Sequence, residues 1–176
     1  MSRDERAAYR REHLGEFIAV PIQQGFAFAR FRGGIDFAFY DICSAELLPI
    51  DQIKHQPVLF TLGCSADSLA KGAWKVIGQE PLEPDLAAPP KYVRNPAGSD
   101  YVDIYCGGEF RPYAGEDLTK LEPCAVWDTP EQVEERLRLH FAGQPYPWSE
   151  RVKVPRELAE RLYREYWAKH GGAPKG

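Results

Sequence analysis

Apolar residues are densest between Gly15 and Ile42, in the run GEFIAVPIQQGFAFARFRGGIDFAFYDI, and their pattern is that of strands. Residues 17–22 are apolar and partly β-branched, Gln23-Gln24-Gly25 supplies a turn, and residues 26–31 run back. Gly33-Gly34 then predicts a second hairpin into residues 35–42. A two-residue turn there sets Phe28 opposite Phe39 and Arg30 opposite Phe37. Phe26, Phe28, Phe37 and Phe39 would then share one face, and Ala27, Ala29 and Ala38 the other. Neither face carries the charge a water-facing strand needs, so the meander is expected to be covered on both sides.

The pattern continues along the chain. Residues 49–53 read as a turn, Pro57 opens a strand over 58–62, and residues 74–77 form another with Trp74 in the core. Between them Ser65 caps a single helical turn through Leu69 and Ala70 that Gly72 ends. Pro81, Pro84, Pro89 and Pro90 predict an extended crossover over 80–91, the place where two lobes would divide. Residues 101–105 alternate and Gly107-Gly108 turns them into 109–113, a hairpin with Tyr101, Asp103 and Tyr105 on one face and Val102 and Ile104 on the other. Thr129-Pro130-Glu131-Gln132 is a helix start with the makings of a capping box. Val133, Leu137 and Phe141 give that helix its buried stripe, and Gly143 stops it. A last helix is expected over 155–169 with Leu158, Leu162 and Tyr166 inward. Residues 2–13 read as a short arm or marginal helix, and 171–176 as a disordered tail.

These elements make an α+β fold: a twisted, mostly antiparallel sheet, open or curled toward a barrel, with helices packed at the C-terminal end. A length of 176 residues suits one domain over 1–176, with a β-rich core over 14–90 and an acidic hairpin plus C-terminal helices over 91–170. The net charge of −4 is unevenly spread, near −1 up to Ser99, −8 from Asp100 to Glu135 and +5 beyond. The acidic middle points to a basic partner, and Tyr101, Asp103, Tyr105, Glu109, Glu116 and Asp117 are the expected binding surface because tyrosines beside carboxylates suit protein interfaces.

Composition also bears on what else the chain does. The four arginines before Leu14 break any signal-peptide core, and no run is long and apolar enough to span a membrane, so a cytoplasmic location is expected. Cys43, Cys64, Cys106 and Cys124 lack the close pairing of zinc ligands and read as free thiols; no metal or cofactor is expected. The acidic balance argues against nucleic acid, which demands a basic face. Asp36 with Asp41, or Asp100 with Asp103, could pair as acid and base, yet no nucleophile elbow, phosphate loop or metalloprotease motif accompanies them.

The wording GEFIAVPIQQGFAFARF, followed by AFYDI, PVLF, GAWKVIG and EPL, resembles the immunity protein 26 family of bacterial polymorphic toxin systems over about the first half of the chain. The resemblance implies a β-rich domain that binds and neutralises a toxin encoded beside it, without chemistry of its own. Arg30 and Asp41 match the family pattern. The alternative is a small hydrolase-like enzyme that reverses the toxin's damage, which would need a Cys–His or Asp–Asp pair in a pocket.

Overall fold

Short strands joined by glycine turns, then a crossover, a second hairpin and two amphipathic helices follow one another in the computed structural model. It describes residues 12–65, 74–96, 99–148 and 153–171. The expected arm before residue 12, the helical turn over 66–70 and the tail after 171 lie outside them. Two compact units form, one from residues 1–88 and 125–146, the other from 89–124 and 147–176.

The first unit contains β1 (Glu16–Ile22), β2 (Gly25–Gly33), β3 (Asp36–Ser44), α1 (Ile50–Ile53), β4 (Val58–Cys64), β5 (Lys75–Gln79) and α2 (Pro84–Ala87). The second unit takes up β6 (Lys91–Arg94), β7 (Asp103–Cys106), β8 (Glu109–Pro112), a 3-10 turn (Leu118–Lys120) and β9 (Glu122–Pro123). The chain then returns to the first unit for β10 (Val126–Trp127) and α3 (Pro130–Phe141), and ends in the second with α4 (Arg156–His170). The six-stranded sheet of the first unit has the order β10-β4-β3-β2-β1-β5 and is antiparallel except for β10 beside β4. The four-stranded sheet of the second is ordered β8-β7-β6-β9, with β9 parallel to β6. This is the α+β class with antiparallel ladders dominant, and neither sheet closes into a barrel.

Both faces of the larger sheet are buried. Ala27, Ala29, Phe31, Phe37 and Phe39 join Phe60, Leu62, Trp74, Trp127, Val133 and Leu137 on one side, while Phe17, Ala19, Phe28, Tyr40 and Ile53 pack on the other. The phenylalanines are therefore split between faces, and Phe28 does not oppose Phe39. The β2–β3 hairpin closes at Gly33 with Asp36, a bulge follows, and the ladder runs Phe31 with Phe37, Arg30 with Ala38 and Ala29 with Phe39. Gly33, at φ +95°, accommodates the bulge, and a register slip of one residue carries every side chain to the opposite face.

The crossover is held to this sheet by two arginines of β2. Arg30 is fully buried, its guanidinium 3.8 Å above the Phe17 ring. Its Nη2 donates to the carbonyls of Glu80 (2.8 Å) and Pro81 (2.7 Å). Arg32 donates from Nε to the Leu86 carbonyl (2.8 Å) and from Nη2 to that of Ala88 (2.6 Å). The crossover is not extended throughout: Pro84 opens the single turn of α2, because its fixed φ and missing N–H suit the first helical position.

Pro130 starts α3 in the same way, but the Thr129 side chain makes no capping hydrogen bond, so the capping box does not form. Val133 and Leu137 are fully buried and Phe141 packs beside them, as the four-residue spacing requires. In the second unit Val93, Val102, Ile104, Leu118, Val154 and Ala159 form the core, with Leu158 and Leu162 of α4 against it. Tyr166 of α4 meets Tyr113 edge-on at 5.7 Å. Gly115 lies under that ring, where a Cβ would come within 2.6 Å of Tyr166. No helix among the described residues is long and apolar enough to cross a membrane.

Candidate functional site

The β7–β8 hairpin turns on Gly107 (φ +61°) and Gly108 (φ +95°), the paired positive dihedrals of a type I′ turn. That turn fixes Cys106 opposite Glu109, Tyr105 opposite Phe110 and Asp103 opposite Pro112. On the other side of β7, Tyr105 faces Tyr92 and Asp103 faces Arg94. Alternation then separates the faces: Val93 and Ile104 enter the core, while Tyr92, Arg94, Asp103, Tyr105 and Phe110 share the opposite side.

On that side the rings form a row, Tyr92 to Tyr105 at 6.4 Å and Tyr105 to Phe110 at 5.0 Å. The Arg94 guanidinium lies 3.9 Å over the Phe110 ring and donates from Nε (3.2 Å) and Nη2 (2.5 Å) to Asp103. Tyr92 is buried and Tyr105 half-buried, whereas Phe110 is 46% and Tyr101 57% exposed. Glu109 is exposed beside the turn. β8 is the sheet edge, and Pro112 removes one N–H that an added strand would need, so the chemistry on offer is that of side chains.

Glu116 and Asp117 do not join this row. Lys91 and Arg111 alternate with its members and reach Glu116 from the other side of the strands, Lys91 at 3.4 Å and Arg111 in closer contact. The Ala114 N–H donates to the second oxygen of Glu116 at 3.0 Å. Burial pushes the Glu116 pKa up, but Arg111 and these N–H donors outweigh it and hold the carboxyl below its ordinary value. Asp117 caps the 3-10 turn, accepting from the Thr119 N–H (3.1 Å) and hydroxyl (2.6 Å), and the Thr119 bonds lower its pKa. Of the six expected residues, the structure gathers Asp103 and Tyr105 in the row, leaves Tyr101 and Glu109 exposed in the same hairpin region, and gives Glu116 and Asp117 local structural bonds. Sequence reasoning missed Arg94 and Phe110; the Gly107-Gly108 turn was the signal for Phe110, since a two-residue turn there sets it opposite Tyr105.

The candidate acids Asp41, Asp100 and Asp103 each have a basic partner. Asp103 is bound by Arg94 and Asp100 by Arg161 at 3.2 Å. His140 Nε2 lies 3.0 Å from Asp41 Oδ1, tying the last turn of α3 to β3. Cys43, Cys64 and Cys106 carry free thiols, and burial raises the Cys64 pKa. Among the described residues no group of three or more His, Cys, Asp and Glu could hold a metal ion.

Neither the curated proteins nor the solved structures yield a significant match. Residues 13–103 match the immunity protein 26 family, which is more than half of the chain and takes in Arg30, Asp41, Tyr101 and Asp103. The chain belongs to that family.

Proposed function

We propose that this member of the immunity protein 26 family works in the cytoplasm by binding a cognate bacterial toxin encoded by a neighbouring gene, and neutralises it by covering its active site or an essential face. It acts as a binding protein, with no catalytic step and no cofactor. The supporting observation is the row Tyr105–Phe110 with its Arg94–Asp103 clamp, flanked by exposed Tyr101 and Glu109. Aromatic and arginine side chains dominate the binding energy of protein interfaces, and here one arginine is stacked and its donors oriented in advance. A stable complex would bury on the order of 1,200–2,000 Å² in total.

Titration calorimetry of the full chain against the toxin domain of the adjacent gene, inactivated for handling, tests the reading. Tight one-to-one binding that weakens in Phe110→Ala and Tyr101→Ala is the expected result. Tight binding that ignores both substitutions removes the hairpin from the interface; no binding removes the toxin-binding function and puts the hydrolase-like reading first.

A further inference from the structure

Under the crossover, β1, β2 and β3 bring Phe17, Arg30 and Tyr40 together on one face of the larger sheet. The guanidinium lies over the Phe17 ring, and the Phe17 and Tyr40 rings stack at 6.3 Å. Arg30 and Tyr40 are 0% and 1% exposed, so bulk solvent does not reach them. The two crossover carbonyls of Glu80 and Pro81 take up Nη2 of Arg30, whereas Nη1 is buried with no partner at hydrogen-bond geometry among the described residues. The Tyr40 hydroxyl and Oε2 of Glu83 are buried in the same condition. Oε1 of Glu83 stands 3.6 Å from Nη1, too far for a hydrogen bond. Burial pushes the Tyr40 pKa up, Arg30 pulls it down and Glu83 adds to the rise, so the hydroxyl lies in the field of both charges.

We infer that Arg30, Tyr40 and Glu83 form a binding site for one buried water, which accepts from Nη1 and from the tyrosine hydroxyl and donates to Oε2 of Glu83. Buried polar groups are costly to leave unpaired, and a buried water commonly makes about three hydrogen bonds to such groups. The backbone on either side of Glu83 is tied down, by Arg30 on the Glu80 and Pro81 carbonyls and by Arg32 on those of Leu86 and Ala88. Lys54 Nζ adds a contact of 3.4 Å to each carboxylate oxygen of Glu80. The carboxylate and Nη1 therefore need a bridge. A cation there would face Arg30, and an anion would face Glu83 and Glu80. A neutral molecule that both accepts and donates suits both sides, and water is the smallest that does. The bridge is a further tie between crossover and sheet, and it holds whatever partner the chain binds.

The test is a high-resolution crystal structure of the full chain, from crystals grown in bromide. The expected result is a single density peak at ordinary hydrogen-bond distance from Arg30 Nη1, Tyr40 Oη and Glu83 Oε2, without anomalous scattering from bromide. A bromide signal at that point, a direct hydrogen bond from Nη1 to Glu83 or Tyr40, or no peak at all overturns the inference. In solution, oxygen-17 relaxation dispersion counts the waters held longer than the protein takes to tumble. Glu83→Ala alters a side chain that is 44% exposed, and it should lower the dispersion by the amplitude of one water while leaving the circular dichroism unchanged. An unchanged amplitude in the folded variant overturns the site; if the variant unfolds, the crystal structure of the natural chain still decides it.

Discussion

The hairpin of the second unit and helix α3 of the first belong to one acidic stretch of sequence, yet the fold treats their carboxylates differently. In the second unit Asp100 meets Arg161, Asp103 meets Arg94, Glu116 meets Arg111 and Lys91, and Asp117 meets Lys120. Of the α3 carboxylates, Glu135 is paired with a cation, Arg138, and Glu134 accepts from a neutral indole; Glu131 and Glu134 have no ion pair among the described residues. Segment charge alone thus does not say which of its carboxylates stay without a cation. The hairpin sets its rings beside charges that are largely paired, whereas Glu131 and Glu134 of α3 meet no cation among the described residues. In protein complexes, packed rings act mainly on how long a complex lasts and unpaired charges on how fast it forms.

The sharpest way to break this contrast is Arg111→Ala. It would leave Glu116, whose side chain is only 11% exposed, with Lys91 as its remaining cation. We expect a loss of about 2 kcal/mol in urea denaturation of the full chain, because a desolvated carboxylate loses its main donor. A loss under about 0.5 kcal/mol would mean that the pair behaves as an ordinary surface bridge. Phe110→Ala should weaken toxin binding by about 2 kcal/mol, roughly thirtyfold, through faster dissociation, with stability almost unchanged because the ring is half exposed. An unchanged dissociation rate would argue that the row is only a structural layer. Trp74→Phe keeps an aromatic ring in the core and removes the donor to Glu134; a cost near 1 kcal/mol by denaturation is expected.

Acid should sharpen the same contrast. The Glu116 and Asp117 carboxyls have native pKa values below their ordinary values of 4.5 and 3.8, so their stabilisation is complete above those values and is lost as pH falls through the lower native ones. Tyrosine fluorescence should report acid unfolding of the second unit in that range, and Arg111→Ala should flatten the dependence; an unaltered acid profile in the variant would contradict the assignment. The smallest effect belongs to the double variant Arg94→Gln, Asp103→Asn. It removes one charge of each sign, so toxin association should stay within about twofold of wild type.

Much of the architecture was legible because its signals are local. Two glycines at Gly107-Gly108 fix a turn, and alternation ahead of it correctly placed Val102 and Ile104 inward and Tyr101, Asp103 and Tyr105 outward of the core. Pro130 and Gly143 bracket α3, and Val133 and Leu137 mark its buried side. The β2–β3 register failed because Gly33 and Gly34 both permit positive φ, and only the packed sheet determines which residue forms the bulge. Thr129 could cap by type, but the helix begins without its side chain.

The sequence by itself determined the hairpin strands, their glycine turns, the buried sides of the two long helices and the sign of the overall charge, since each depends on residues a few positions apart, but it did not mark β6, β9 or β10. The tertiary structure decided which charges remain uncompensated and what Arg30 does. Arg94 and Asp103 are joined by the sheet, Asp100 and Arg161 across 61 positions, and Arg30 with the Glu80 carbonyl across 50. Ion pairs and buried hydrogen bonds act through space over a few ångströms, so their partners are settled only once the chain has folded back on itself.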